Sequence, residues 1–160
     1  MASYQGGCLR GALRYETMGE PHRIVFCHCR FCQRATGTAY LLDAMFARSN
    51  FNITKGVPSR YELTSEGSGK KVVVNFCSRC GTKIFLDLDR VPNDIGLYTG
   101  TYDNPNWFER LGANSKHLFL DYAQRDTLIH PGLPVFREHV TTKGGTPTTA
   151  TTFEKPYQVG

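Results

Sequence analysis

Six cysteines, at positions 8, 27, 29, 32, 77 and 80, restrict what this 160-residue chain can fold into more than any other feature. Five of them fall in two short clusters, Cys27-His28-Cys29-Arg30-Phe31-Cys32 and Cys77-Ser78-Arg79-Cys80-Gly81. A chain this long buries enough apolar surface to need no disulfide framework. Its opening Met-Ala-Ser-Tyr-Gln-Gly-Gly lacks the apolar run of an export signal, so a cytoplasmic protein with reduced thiols is expected. No segment approaches the ~20 apolar residues of a spanning helix, so no membrane association is expected. Thiols kept reduced at such spacings point to metal.

Around the cysteines the chain reads as short strands. With 16 Gly and 8 Pro, turns are plentiful and helix is scarce, which favours an all-β fold with short helical turns. Strands are expected over 7–17, 22–26, 39–46, 51–54, 60–63, 71–76, 83–88, 95–99 and, last, 117–122, with one or two helical turns over 105–111. The runs 71–76 and 83–88 flank Cys77 and Cys80, which places that pair at the tip of a hairpin. Residues 1–140 are expected to form one domain. Residues 141–160, rich in Thr, Gly and Pro, are expected to be an extended or disordered tail.

In extended backbone alternate side chains share a face, so Cys27 and Cys29 point one way and His28 the other, and a short turn lets Cys32 rejoin them. Zn²⁺ is the natural occupant, because it favours tetrahedral sulfur coordination and has no redox chemistry. The Cys77 and Cys80 pair is half of a zinc knuckle and needs further ligands, for which Cys8 is the cysteine left over. Two arrangements compete: one ion held by four of the six thiolates, or two ions, one on Cys27, Cys29 and Cys32 and one on Cys8, Cys77 and Cys80. The count is therefore one or two zinc ions per chain. The two-ion arrangement leaves each site one ligand short, and an open position is the mark of a catalytic zinc.

Outside the cysteines the signals are weaker. The net charge of +5 is compatible with anionic small molecules, but Lys and Arg are scattered and form no block, so nucleic acid is not expected as a partner. Arg30, within the first cluster, and Arg34, just after it, could hold a substrate carboxylate, although arginines at such positions are commonly just solvated. His117 and Asp121, four apart in an expected strand, would share a face and could meet substrate; a satisfied histidine and a surface aspartate serve equally well. Asp43 is open to the same two readings. Trp107, Phe108 and Tyr102 read as core or cleft lining.

Four segments in order resemble the glutathione-dependent formaldehyde-activating enzyme family, which includes centromere-protein-V-like proteins: 6–15 (GGCLRGALRY), 27–37 (CHCRFCQRATG), 76–81 (FCSRCG) and 117–121 (HLFLD) before Gly132-Leu133-Pro134. The resemblance spans most of the chain up to about residue 140. It implies a β-tent fold, a catalytic zinc on Cys27, Cys29 and Cys32, and a structural zinc on Cys8, Cys77 and Cys80. It also implies carbon–sulfur lyase chemistry, with glutathione as thiol and S-hydroxymethylglutathione as the product when the aldehyde is formaldehyde. Elimination, isomerisation or hydration of another small metabolite at the same open zinc is the alternative. A non-catalytic zinc-ribbon-like binding module is the second, but no basic face or aromatic platform supports it. Family members usually carry a second cysteine where this chain has Arg10, and a guanidinium cannot ligate zinc. Strand alternation would point Arg10 the same way as Cys8.

Overall fold

The computed structural model describes residues 1–66 and 68–160. In chain order its elements are β1 (Ser3–Gly7), β2 (Arg14–Met18), β3 (Arg23–Cys27), α1 (Arg30–Thr36), β4 (Leu41–Ala47), β5 (Phe51–Lys55), β6 (Ser59–Thr64) and β7 (Lys71–Phe76). Then come β8 (Lys83–Leu88), β9 (Asp94–Tyr98), β10 (Ser115–Leu118), β11 (Leu128–Ile129), β12 (Pro134–Val135), β13 (Thr151–Thr152) and β14 (Tyr157–Gln158). The all-β expectation holds, and the one α-helix of the described residues is short. Two compact units divide the chain: residues 1–23 with 44–109, and residues 24–43 with 110–160.

In the first unit β1, β2 and β5 form an antiparallel sheet, while β6, β7, β8 and β9 run as a meander. Val73, Val74, Ile84, Phe85, Leu86, Ile95 and Leu97 are buried along the meander. Branched and aromatic side chains of this kind fit a pleated surface that is covered by packing. The Tyr15 ring, fully buried, sits edge-on to Tyr102, and Trp107 stacks on Tyr4 with centroids 3.6 Å apart. Tyr102 and Phe108 each meet the Trp107 ring edge-on; Tyr102 and Phe108 are buried and Trp107 is half-buried, which fits their reading as core or cleft lining.

Two expectations fail here. The strand over 7–17 is two strands with a tight turn between them: the Cys8 amide donates to the Leu13 carbonyl, the Gly11 amide to that of Cys8, and Gly11 has φ +66°. Strand alternation therefore says nothing about Arg10, which lies in the turn. Residues 105–111 form turns and bends rather than helix; the helical turn of this region is a 3₁₀ turn over Thr99–Thr101.

In the second unit β3 pairs parallel with β10, matching Cys27 with Leu118, and β10 pairs parallel with β12, matching His117 with Val135. Parallel neighbours cannot be joined by a hairpin, and each of these pairs is accordingly reached by a long connection. The strand expected over 117–122 stops at Leu118, because Phe119 takes φ +64° and Leu120–Tyr122 form a 3₁₀ turn. Nor is it the last strand. Within residues 141–160, which include a turn around Gly145, β13 pairs with β12 and β14 with β11.

Candidate metal centres

The chain leaves β3 at Cys27 and enters α1 at Arg30, and the loop between them is set by backbone bonds. The His28 amide donates to the Leu118 carbonyl at 3.0 Å, which holds the loop against the end of β10. Cys29 caps α1, its Sγ accepting from the Cys32 amide at 3.3 Å. Gly37 ends the helix at φ +71°, a conformation that costs glycine nothing. The ligand atoms of Cys27, Cys29 and Cys32 consequently lie within 4.8 Å of one another, and among the described residues no fourth His, Cys, Asp or Glu joins the group.

Three sulfurs on tetrahedral zinc stand about 3.8 Å apart, given Zn–S bonds of about 2.3 Å, so this trio needs little closing to fit an ion. Within the trio the neighbouring Cys27 and Cys32 thiols push the Cys29 thiol down to about 3, while their own values are pushed well above the usual thiol value. Cys29 is also the most exposed of the three, with Cys27 and Cys32 buried.

Gln33, which sequence reasoning passed over, ties this loop down. Its carboxamide donates to the carbonyls of His28 at 2.6 Å and Tyr122 at 2.7 Å, and its Oε1 accepts from Gln124 and from Arg30. Arg30 is therefore engaged along its own helix, and Arg34 is exposed near the end of the same helix. His28 points away from the sulfurs, as alternation requires. Its Nε2 meets His117 Nδ1 at 2.9 Å, and His117 Nε2 meets His130 Nδ1 at 3.3 Å, a row of three imidazoles in which His117 and His130 pack on Phe26 and His28 on Tyr40. Burial lowers all three, His28 to about 4 and His117 to about 3, so each is neutral near pH 7.

His117 is thus wholly buried and bonded, and it shares no face with Asp121, which pairs with Arg137 at 2.9 Å. The break at Phe119 separates them. Nothing in the sequence marked His130 as the end of the row. Asp43 is a buried residue of β4.

In the first unit the β7–β8 hairpin carries Cys77 and Cys80 at its tip, and the β1–β2 turn brings Cys8 to them; these three ligand atoms also lie within 4.8 Å of one another. Backbone amides surround the sulfurs. Burial raises the Cys8 thiol, but the amides of Leu13 and Arg10 and the Cys77 thiol outweigh it and leave its pKa lowered. Cys80 falls to about 6, through the Thr82 hydroxyl first and then the amides of Thr82 and Arg10. Arg10 thus reaches this triad through its backbone N–H, while its side chain is exposed.

The chain, then, carries two cysteine triads, each able to hold a metal ion, with donors to sulfur of the kind that stabilise bound thiolates. Among solved structures, the crystal structure of a Rhodobacter sphaeroides protein is similar, with a TM-score of 0.52 and 20% identity over 69% of this chain and 97% of that one. At that identity the likeness speaks for the fold. A comparison with curated proteins finds no match. No described helix is long and apolar enough to cross a membrane. A sequence model described as "glutathione-dependent formaldehyde-activating enzyme" matches residues 3–121, and the cysteine triads of the structure fall within that span. The chain belongs to the glutathione-dependent formaldehyde-activating enzyme family.

Proposed function

We propose that the chain is a zinc-dependent carbon–sulfur lyase of the cytoplasm, which joins the thiol of glutathione to formaldehyde and catalyses the reverse cleavage. The observation that carries this reading is the Cys27, Cys29 and Cys32 triad, closed by no further protein ligand among the described residues. Cys27, Cys29 and Cys32 would hold the zinc, which would supply the acidity that lets an incoming thiol lose its proton and stay nucleophilic. The added sulfur then forms a bond to the carbonyl carbon, the carbonyl π electrons move to oxygen, and that oxygen takes a proton. Cleavage returns the same atoms and electrons, so the reaction needs no oxidant or reductant.

The chain's own residues orient and hold. Cys27 and Cys32 are buried, whereas the partial exposure of Cys29 marks the side from which a substrate would arrive. Gln33 fixes the loop through the His28 carbonyl, and thereby the direction of the neighbouring sulfurs. Arg34, exposed on α1, is the better placed of the two helix arginines to meet a carboxylate of the tripeptide, because Arg30 is engaged by Gln33.

The zinc-loaded chain mixed with glutathione and formaldehyde is expected to form S-hydroxymethylglutathione faster than the uncatalysed mixture, and glutathione alone is expected to raise its melting temperature. Cys29→Ala should lower turnover roughly a hundredfold or more and abolish the thermal shift, with circular dichroism unchanged. A Cys29→Ala chain that keeps wild-type turnover would remove this reading. Unfolding of that variant together with an inert wild type would instead favour a purely structural loop.

A further inference from the structure

The Cys8, Cys77 and Cys80 triad takes no part in the reaction proposed above, yet it too lacks a fourth ligand among the described residues. A zinc that only holds loops together is normally closed by four protein ligands. Beside this triad lies a cavity of about 290 Å³ whose walls include Cys77, Leu13, Val57, Arg10 and Arg79. Both arginines are exposed and permanently charged. A zinc ion with three thiolates carries one negative charge, so two guanidinium groups leave the neighbourhood of the site positive.

Three features of a ligand follow from this. A fourth donor of sulfur matches the softness of the other three. A carboxylate on the same molecule matches two forked cations. The cavity lies at the lower end of the size range of small-molecule sites, which suits an acid of a few heavy atoms better than a tripeptide. We propose that the Cys8, Cys77 and Cys80 triad is a second open metal site that takes a small thiol carboxylate, with the sulfur on the metal and the carboxylate on Arg10 and Arg79. Binding sends the thiol proton to solvent and changes no oxidation state.

The test is a titration of the cobalt(II)-loaded full chain with mercaptoacetate, with mercaptoethanol as the uncharged comparison. Visible absorption counts bound thiols and elemental analysis counts metal. The wild type is expected to hold two ions and bind two mercaptoacetates. The double variant Arg10→Met, Arg79→Met should keep both ions and bind one of the two mercaptoacetates about tenfold more weakly, with mercaptoethanol unaffected. Arg10→Cys, offering a protein sulfur from the same turn, should keep two ions and bind one mercaptoacetate.

A wild type that holds only one ion would overturn the proposal. So would equal binding of both mercaptoacetates by the double methionine variant, whose changed side chains are exposed and whose fold should survive. If Arg10→Cys folds and still binds two, the proposal also falls. A chain that fails to make S-hydroxymethylglutathione but keeps the arginine-dependent thiol would count against the lyase reading and leave this site standing.

Discussion

At the level of single residues, the loop that carries Cys27, Cys29 and Cys32 rests on groups that are buried and uncharged. His117 is the clearest: burial first, then His28 and His130 on either side, push it down to about 3, against about 6.5 in an unfolded chain. A histidine held neutral contributes stability that is fully present above the unfolded value and is lost as the pH falls towards the folded one. Between about pH 7.5 and about pH 5, the wild type is therefore expected to lose more stability in urea than His117→Gln. The gap between the two should narrow as acid is added, and parallel curves would contradict it. The comparison also cancels the protonation of the cysteine triads, which both proteins share. The sequence announced the sulfurs because their spacing is local, and it placed His28 on the opposite face because alternation is local too. It gave no hint of His130 or Gln124, whose meeting with His117 and Gln33 depends on chain segments far apart in sequence.

Among the elements, the turns decide where sulfur goes, and glycines in and beside them act through different physics. Gly37 ends α1 at φ +71° with open space where a side chain would stand, whereas Gly6 in β1 would bring a methyl group to 2.3 Å from the Tyr15 hydroxyl and 2.6 Å from the Thr101 carbonyl. Gly37→Ala should cost about 1 kcal/mol from backbone conformation alone, and Gly37→Asn, which tolerates that conformation, should recover much of it. Gly6→Ala should cost about 1–3 kcal/mol through crowding, and Gly6→Asn should recover none. Chemical denaturation of the four variants measures both. Strand positions were legible for the meander, where 71–76 and 83–88 match β7 and β8, since alternation and turn residues there agree. They were not legible where a lone residue bends the chain. Phe119 at φ +64° ends β10 at Leu118, three residues short of Asp121, and bulky residues rarely announce that conformation. The helix α1 escaped notice because its seven residues are too few to show a period, and Cys29, an unusual cap, starts it.

For the whole molecule, each of the two compact units contains one complete triad: Cys8, Cys77 and Cys80 in the first, Cys27, Cys29 and Cys32 in the second. Loss of one ion should therefore be felt in its own unit. Cys77→Ser is expected to reduce hydrogen-exchange protection in 71–88 and around 8–13, while 24–37 and 115–118 keep theirs. Protection lost equally in both units would contradict this. The all-β class was readable from turn-forming composition and short β-rich runs. The division into two units, each assembled from separated stretches of chain, was not, because it depends on pairings such as that of β3 with β10.

Those separations differ greatly between the triads, and the difference bears on biosynthesis. Cys27, Cys29 and Cys32 emerge from the ribosome almost together, whereas Cys8 must wait for the hairpin tip at Cys80. The nascent chain can thus bind its first ion before the second triad exists, and well before β10 arrives to brace the loop. Chains made where the metal is scarce should accordingly accumulate filled at the early triad and empty at the late one.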